Sequence, residues 1–399
     1  MSRRSVRRAV CALAALASLS IAVPFACVHA ADAEPPLDPA RGRALMQKSA
    51  RGEALTAEEQ SYLERVKQMI RERNANKRSG AEPGPAGAGG EARAPSPGNP
   101  SGSTGLVPLT QMSASYQGED GGLYGGGRNE PPEAHRAAHL RESGNVRPLD
   151  AGGLPSEDGR IGLITIGFSN TSIESEAFRR EAGADPQKSP RVVIVNGAIP
   201  ARLAVDWVRD GPDAQTWQTL ARRVAAAGLS PAQVQVCWLK QANRKRGEFP
   251  AYARELQADL TAILNIARRH YPNLRVAYLS SRIFGGWPGP GGLEPVSYES
   301  AFAVRRVVQS QIDGDARLNF NPVRGEVNAP LVLWGPYLWS QGETPRQLDG
   351  LAWPESDFRA DRLHPNESGA KKVAALLLKF FKTNEGARLW FLTAGRAER

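Results

Sequence analysis

The sequence has very few cysteines, and this limits how the chain can be stabilised. Only 3 of its 399 residues are cysteine. Cys11 and Cys27 lie in the first 30 residues, and Cys237 lies in the apolar run over residues 234–239. If the first 30 residues are removed, a single cysteine remains, which excludes an internal disulfide. Cys237 is therefore expected to be a small buried residue.

Beyond residue 30 the sequence also lacks an apolar run of membrane-spanning length. Residues 1–30 contain four arginines, an apolar run and small residues at Val28 and Ala30, which is typical of a secretory signal peptide. A spanning helix is the alternative, and Pro24 in the run argues against it. We expect a secreted or periplasmic protein without a membrane span in its mature form. The Ser2-Arg3-Arg4 start keeps twin-arginine export open beside the general secretory route, and Phe25-Ala26-Cys27 is a poor lipoprotein site.

Charge of one sign is not concentrated anywhere in the mature sequence. The net charge is +10. Removal of the signal peptide takes away four arginines and no acidic residue, which leaves a net charge of +6. The remaining basic residues are scattered and form no basic face interleaved with aromatics, so nucleic acid is not an expected partner. Hydrophobic residues make up 41 % and charged residues 23 %, which excludes a wholly disordered chain.

Three zones follow the signal peptide. Residues 31–77 are predicted to form a short helical segment, because Thr56 to Glu59 fits a capping box and apolar residues then recur on one helical face. Residues 78–158 are predicted to be a Gly/Pro-rich disordered linker. The stretch from Gly80 to Gly159 carries 18 of the 40 glycines, and it has too little hydrophobic mass to offset the entropy of ordering. Residues 159–385 form the main domain, and residues 386–399 a C-terminal tail.

The main domain alternates apolar runs with helical stretches. Strands are predicted over residues 161–167, 191–196, 234–239, 275–281 and 331–335. Helices are predicted over residues 213–227, 249–270, 296–311 and 367–382. Strands that are apolar nearly throughout and separated by helices indicate a parallel sheet covered on both faces. Ligands bind such sheets at the carboxyl ends of the strands.

Polar residues follow three of these strands. Ser169 follows the first, Gly197 the second and Asn243 the third. Taken singly, each is explained by a helix cap or a turn. Together they offer a hydroxyl nucleophile, a backbone N–H that can approach a substrate closely and a side-chain amide, which suit stabilisation of an oxyanion.

An aspartate and a histidine near the C-terminus complete this set. Asp361 precedes His364 by three residues in an extended loop before Pro365. Such a pair can place a carboxylate beside Nδ1 and leave Nε2 free to take a proton from a serine. Asp357 is an alternative partner for the imidazole.

Two histidines raise the question of a metal site. His135 and His139 have the i, i+4 spacing of a metal pair on a helix, but no third ligand accompanies them. A solvated segment is the favoured explanation for both.

These residues resemble the four-block signature of the SGNH (GDSL-type) hydrolase superfamily. Phe168-Ser169-Asn170 looks like the first block, Gly197 the second, Asn243 the third, and Asp361 to His364 the last. The resemblance covers about 225 residues and implies a three-layer α/β/α sandwich of flavodoxin-like type with a mainly parallel sheet. It implies a Ser169–His364–Asp361 triad, an oxyanion hole of Ser169, Gly197 and Asn243, and no cofactor or metal.

Two departures from the family pattern bear on activity. Phe168 stands where the family usually has Asp, and Gln241 stands where the third block usually has Gly. A secreted serine esterase acting on a small or carbohydrate ester is the favoured function. The alternatives are a weak or inactive domain that binds carbohydrate, and an interaction protein that works through residues 38–76. The oligomeric state is open. Four residues are candidate substrate contacts: Asn170, Arg282, Trp287 and Tyr337.

Overall fold

The computed structural model describes residues 41, 45, 48, 54–66, 68, 104–244, 248–288 and 293–393. The chain divides into two compact units, Met1–Ala94 and Pro95–Arg399, each with its own hydrophobic cluster. The predicted signal peptide and the first part of the predicted linker lie outside the described residues. None of the helices in the described ranges combines the length and apolar character that crossing a membrane demands.

In the first unit, the described residues include a helix over residues 57–66. It begins at the predicted capping box. The Thr56 N–H donates to Glu59 Oε2 at 2.9 Å, and the Glu59 N–H donates to Thr56 Oγ1 at 3.2 Å. The prediction of a capped helix with one apolar face is confirmed for this stretch. The residues buried together on that face and beside it are Leu45, Tyr62, Leu63 and Val66.

The second unit is built on a five-stranded parallel sheet. The strands are β1 (Ile161–Gly167), β2 (Val192–Asn196), β3 (Val234–Lys240), β4 (Val276–Leu279) and β5 (Leu331–Trp334). Every residue of β1, β3, β4 and β5 is buried, as expected for strands covered on both faces. All five predicted strands are present, with ends that differ by at most two residues.

The strand order determines where a site can form. The order is β2-β1-β3-β4-β5, and all neighbouring pairs are parallel. From β1 the chain crosses to β2 on one side, and β3 then pairs with β1 on the other. The carboxyl ends of β1 and β3 therefore flank the switch point, which is the usual position of a ligand crevice in such sheets.

Two groups of helices enclose the sheet. The helices are α1 (Glu133–Gly144), α2 (Ser169–Ala184), α3 (Ala204–Val208), α4 (Gln215–Ala226), α5 (Ala251–His270), α6 (Val296–Ile312), α7 (Glu367–Thr383) and α8 (Arg388–Phe391). Helices α1, α2, α7 and α8 pack in one group, and α3 to α6 in the other. The fold is a three-layer α/β/α sandwich, as predicted. The four predicted helices correspond to α4, α5, α6 and α7.

Residues 104–158 are a correction to the predicted linker. They belong to the main core, where Leu109, Leu123 and Val146 are buried. Their backbone is fixed by bonds to the domain: Tyr337 Oη accepts from the Leu109 N–H at 3.2 Å, and the Leu123 carbonyl accepts from Trp334 Nε1 at 2.7 Å. The prediction of disorder rested on the entropy cost of ordering a glycine-rich segment. These long-range contacts offset that cost.

The two histidines of α1 are also a correction, because neither is solvated. The Nε2 atom of His135 lies 2.8 Å from the Val332 carbonyl, and that of His139 lies 2.9 Å from the Tyr278 hydroxyl. Burial lowers the pKa of both, and that of His139 falls to about 4. Both rings are neutral docking groups that attach α1 to β4 and β5.

The predicted C-terminal tail is corrected as far as residue 393. Helix α8 lies within it, and both Trp390 and Phe391 are buried. The Phe391 ring stacks on Phe178 and Phe381, with centroids 6.4 and 5.2 Å apart. The end of the described chain is therefore part of the core.

Candidate active site

Ser169 is placed by a sharp transition from strand to helix. Strand β1 ends at Gly167, Phe168 is extended, and Ser169 is the first residue of α2. A Cβ at Gly167 would lie 2.4 Å from the Thr171 side chain, so only glycine lets the helix start this close to the strand. Ser169 is partly exposed at the carboxyl edge of the sheet. The first N–H groups of α2 have no carbonyl partner within the helix.

The loop before α7 brings a histidine onto this serine. His364 Nε2 lies 2.8 Å from Ser169 Oγ, although 195 positions separate the two residues. On the other side of the ring, Nδ1 lies 2.7 Å from Asp361 Oδ2. The Asn170 amide donates to the Leu363 carbonyl at 3.0 Å, which ties the loop to the helix that carries the serine.

The Asp361 carboxylate is held by its own loop. Its Oδ1 accepts from the backbone N–H groups of Leu363 at 3.0 Å and His364 at 2.9 Å. A left-handed conformation at Arg362, with φ of 54°, turns the chain so that both groups point at it. Partial burial acts to raise the pKa of Asp361, but the backbone and side-chain hydrogen bonds of His364 outweigh it and lower that pKa to about 2. The carboxylate therefore stays ionised beside the imidazole.

Asp357 is not the partner of the imidazole. It is buried, its Oδ1 accepts from Ser368 Oγ at 2.7 Å, and its Oδ2 pairs with Lys372 Nζ. Its role is to fasten the short turn before the loop onto α7. Asp361 is the carboxylate that contacts His364.

The predicted oxyanion donors have other partners in this structure. The Gly197 N–H donates to Thr165 Oγ1 at 3.2 Å. Asn243 donates one amide N–H to Asp259 Oδ2 at 2.6 Å, and its Oδ1 accepts from the Val205 N–H at 3.0 Å. One N–H of the Asn243 amide is left, since a primary amide carries two.

Sequence reasoning missed a residue in the loop after β2. Ala201 has φ of 61°, a left-handed conformation that favours glycine. The same loop is tied to the end of β1, because the Ile199 N–H donates to the Gly167 carbonyl at 3.0 Å. A positive φ leaves no mark on the sequence when the residue is not glycine, so no local signal identifies this turn.

A fully buried ion pair lies behind the serine. Lys240, the last residue of β3, places Nζ 2.5 and 2.6 Å from the two carboxylate oxygens of Glu174 in α2. The Lys240 carbonyl also accepts from Thr171 Oγ1 at 2.8 Å. Burial lowers the pKa of Lys240 and the carboxylate of Glu174 acts against it. These contacts fix the first turns of α2, and with them Ser169, on the sheet.

Arg282 interacts electrostatically with this pair. It follows β4, is only 6 % exposed, and holds its guanidinium 5.0 Å from the ring centroid of Phe168. A cation therefore packs on the ring of the residue that precedes Ser169 in the chain. Burial lowers the pKa of Arg282.

The other two candidate substrate contacts are packed in the core. Trp287 is 3 % exposed, and its Nε1 donates to the Trp353 carbonyl at 3.0 Å. Tyr337 is 5 % exposed, and the Arg346 guanidinium covers its ring. Neither ring offers a face for stacking on a substrate.

Comparison with known proteins identifies no family for this chain. No family model matches it, and no curated protein sequence matches it. Similar solved structures include a carbohydrate esterase family 3 protein from Talaromyces cellulolyticus, with 14 % identity, a TM-score of 0.31, and coverage of 54 % of this chain and 93 % of that one.

Two further structures are similar at the same level. The C-terminal catalytic domain of Streptococcus pneumoniae peptidoglycan O-acetyltransferase A has 11 % identity and a TM-score of 0.31, with 59 % of this chain and 99 % of that one covered. A gut microbial diltiazem-metabolizing enzyme has 12 % identity and a TM-score of 0.30, with 59 % and 48 % covered. Values of this size do not establish a relationship, so the roles proposed below rest on the contacts of this chain.

Metal-ligating side chains do not cluster in the described ranges. These ranges contain no group of three or more His, Cys, Asp or Glu side chains arranged to hold a metal ion.

Proposed function

We propose that this chain is a serine hydrolase of the SGNH type that cleaves carboxylic esters. The observation that carries the proposal is the continuous chain of short contacts from Asp361 Oδ2 through the His364 ring to Ser169 Oγ. A serine that only caps a helix has no need of an imidazole on its hydroxyl. An imidazole so placed, with an ionised carboxylate on its other nitrogen, is the arrangement that activates a serine for acyl transfer.

The reaction proceeds in two halves. Ser169 Oγ attacks the ester carbonyl carbon while His364 Nε2 takes the hydroxyl proton, and Asp361 stabilises the imidazolium. The tetrahedral intermediate collapses, the bond to the alcohol oxygen breaks, and His364 returns the proton to that oxygen. Water then attacks the acyl-enzyme with His364 as base, and a second collapse releases the carboxylic acid and regenerates Ser169.

The oxyanion is assigned to donors that remain available at this edge. The Ser169 N–H at the start of α2 is one, and the second N–H of the Asn243 amide is the other. The Gly197 N–H, which donates to Thr165 Oγ1 in this structure, is a further predicted donor. Loss of one such donor lowers kcat by about 10²–10³-fold.

The substrate class and the location of the protein extend the proposal. We propose that the protein is exported and that its substrate is a small ester, with an acylated carbohydrate as the first class to test. The support is the leader-like sequence of residues 1–30 and the family resemblance. Release of acetate from a panel of acetylated sugars, compared with acetylated peptides and simple alkyl acetates, tests the carbohydrate class.

Covalent labelling tests the catalytic assignment. A fluorophosphonate is expected to modify the protein once, and mass spectrometry should locate the adduct on Ser169. Hydrolysis of 4-nitrophenyl acetate should fall by about 10⁴-fold or more in Ser169→Ala and in His364→Gln. Ser172→Ala, one turn further along α2, is the matched control and should keep both labelling and activity. An adduct elsewhere, or equal hydrolysis by the wild type and Ser169→Ala, would contradict the proposal and favour a domain that only binds its ligand.

A further inference from the structure

Arg282 is a buried cation that no carboxylate neutralises in the described part of the chain. Its Nε atom is excluded from solvent and has no hydrogen-bond partner. The two terminal nitrogens also have no partner among the described residues. The residue as a whole keeps 6 % of its surface exposed.

The two carboxylates that act electrostatically on Arg282 have other hydrogen-bond partners. Glu174 is paired with Lys240 through both of its oxygens. Glu294 accepts three N–H groups, from Gly285 at 2.9 Å, Trp339 Nε1 at 2.8 Å and Tyr298 at 3.0 Å. Its pKa is raised to about 7 by burial, so it supplies only part of a negative charge near neutral pH. Together these groups leave the positive charge of Arg282 largely unbalanced.

A cation in this position is costly unless something binds to it. Removing a guanidinium from water is unfavourable, and the contact with the Phe168 ring offsets only part of that loss. Arginine binds carboxylates in a planar, two-pronged geometry, and it needs free terminal nitrogens to do so. Arg282 retains those nitrogens, and it sits over the residue that precedes the nucleophile.

We propose that Arg282 is the anchor for a carboxylate on the ester that Ser169 cleaves. This inference rests on the proposed function and narrows its substrate class to anionic esters. The carboxylate can belong to the acyl half, as in a half-ester of a dicarboxylic acid, or to the alcohol half, as in an acylated acidic sugar. Phe168, where the family usually has Asp, fits this role, because an aspartate there would neutralise the arginine.

Two matched ester pairs distinguish the sources of the carboxylate. For the acyl half, monoethyl succinate is compared with ethyl 4-methylpentanoate, in which an isopropyl group replaces the carboxylate. For the alcohol half, acetoxyacetate is compared with isobutyl acetate on the same principle. Rates are followed by pH-stat titration in the wild type, Arg282→Met, Arg282→Lys and the exposed control Arg180→Met.

In one of the two pairs, kcat/KM of the wild type should favour the charged ester by about tenfold or more. Arg282→Met should lose that preference, Arg282→Lys should keep part of it, and Arg180→Met should keep all of it. Equal or better use of the neutral ester in both pairs, or a preference unchanged in Arg282→Met, would overturn the inference. Circular dichroism checks that each variant is folded. If Arg282→Met does not fold, the loss of preference is measured in Arg282→Lys.

A binding measurement separates this inference from the proposed function. Titration calorimetry of the wild type with succinate and with glycolate should show saturable binding that Arg282→Met abolishes. Such binding without hydrolysis of any ester would support the anion site and contradict the esterase. Hydrolysis of neutral esters with no anion binding would support the esterase and contradict the anion site.

Discussion

The buried pair of Lys240 and Glu174 allows a quantitative test of how Ser169 is held on the sheet. Both side chains are fully excluded from solvent, and their charged atoms lie 2.5 and 2.6 Å apart. Replacing Lys240 with Met deprives the Glu174 carboxylate of its hydrogen-bonded partner in the core, and replacing Glu174 with Leu leaves an uncompensated ammonium. Removing one partner of a buried pair costs about 3–5 kcal/mol.

The double variant Lys240→Met/Glu174→Leu should be far less affected than either single one. It removes both charges and fills the space with apolar side chains, and such replacements are often neutral or stabilising. The expected coupling free energy between the two positions is therefore about 3 kcal/mol or more. Each single variant should lower Tm by roughly 10 °C, and the double variant should stay within a few degrees of the wild type.

Urea unfolding followed by circular dichroism measures these free energies. The double variant should also retain ester hydrolysis within about tenfold, since α2 then remains packed on β3. The claim is that each buried charge is stabilised in the core by the other. It would be refuted if the single variants unfolded with a free energy within 1 kcal/mol of the wild type, or if the double variant lost the sum of the two single effects.

Three further predictions follow from groups around the core. The pKa of His139 lies below its ordinary value, so the unfolded chain takes up a proton at a higher pH than the folded chain does. The free energy of unfolding should therefore fall by about 3 kcal/mol as pH is lowered from about 6.5 to 4. His139→Gln should remove most of that pH dependence in urea unfolding at pH 7 and pH 4, and an unchanged difference would contradict it. Cys237 is buried and burial raises its pKa, so iodoacetamide should alkylate it only in denaturant, as read by peptide mass spectrometry. Gly167→Ala should displace the start of α2 through Thr171 and lower kcat at least tenfold, whereas full activity would show that the close approach is dispensable.

The sheet could be predicted from the sequence because its signal is local. Buried parallel strands are apolar at nearly every position, and the five runs marked both the strands and their ends. Helix α2 could not be found in this way. Its buried face carries Asn170, Thr171 and Glu174, which are polar residues whose hydrogen-bond partners lie elsewhere in the chain. A lysine at the end of the apolar run of β3 was the available sign that a buried acid had to face it.

Residues 104–158 show the limit of reasoning from composition. Four glycines of this region, at 122, 125, 126 and 127, adopt positive φ in one compact turn. The ion pairs of Arg305 with Glu119 and Asp120 and the ring packing of Tyr116 on Phe302 fix the neighbouring chain. A glycine-rich sequence is consistent with disorder and with such a turn, and only the contacts distinguish the two.

In the candidate site, too, some features could be predicted from the sequence and others could not. Ser169, Asp361 and His364 were predictable, because a strand-end serine and an Asp-x-x-His loop each leave a short motif, and the structure brings the three together. The partners of Gly197 and Asn243 were not predictable. Thr165 and Asp259 reach them through the tertiary fold, and no spacing in the sequence announces those bonds.

The amide of Asn170 has a consequence for how related chains can vary. It joins the residue after Ser169 to the carbonyl of the residue before His364, so a single hydrogen bond sets the separation of Ser169 and His364 locally. The spacing of 193 positions along the chain from Asn170 to Leu363 therefore does not have to stay fixed. Loops along that stretch can therefore grow or shrink in related chains, while the hydroxyl and the imidazole stay in register.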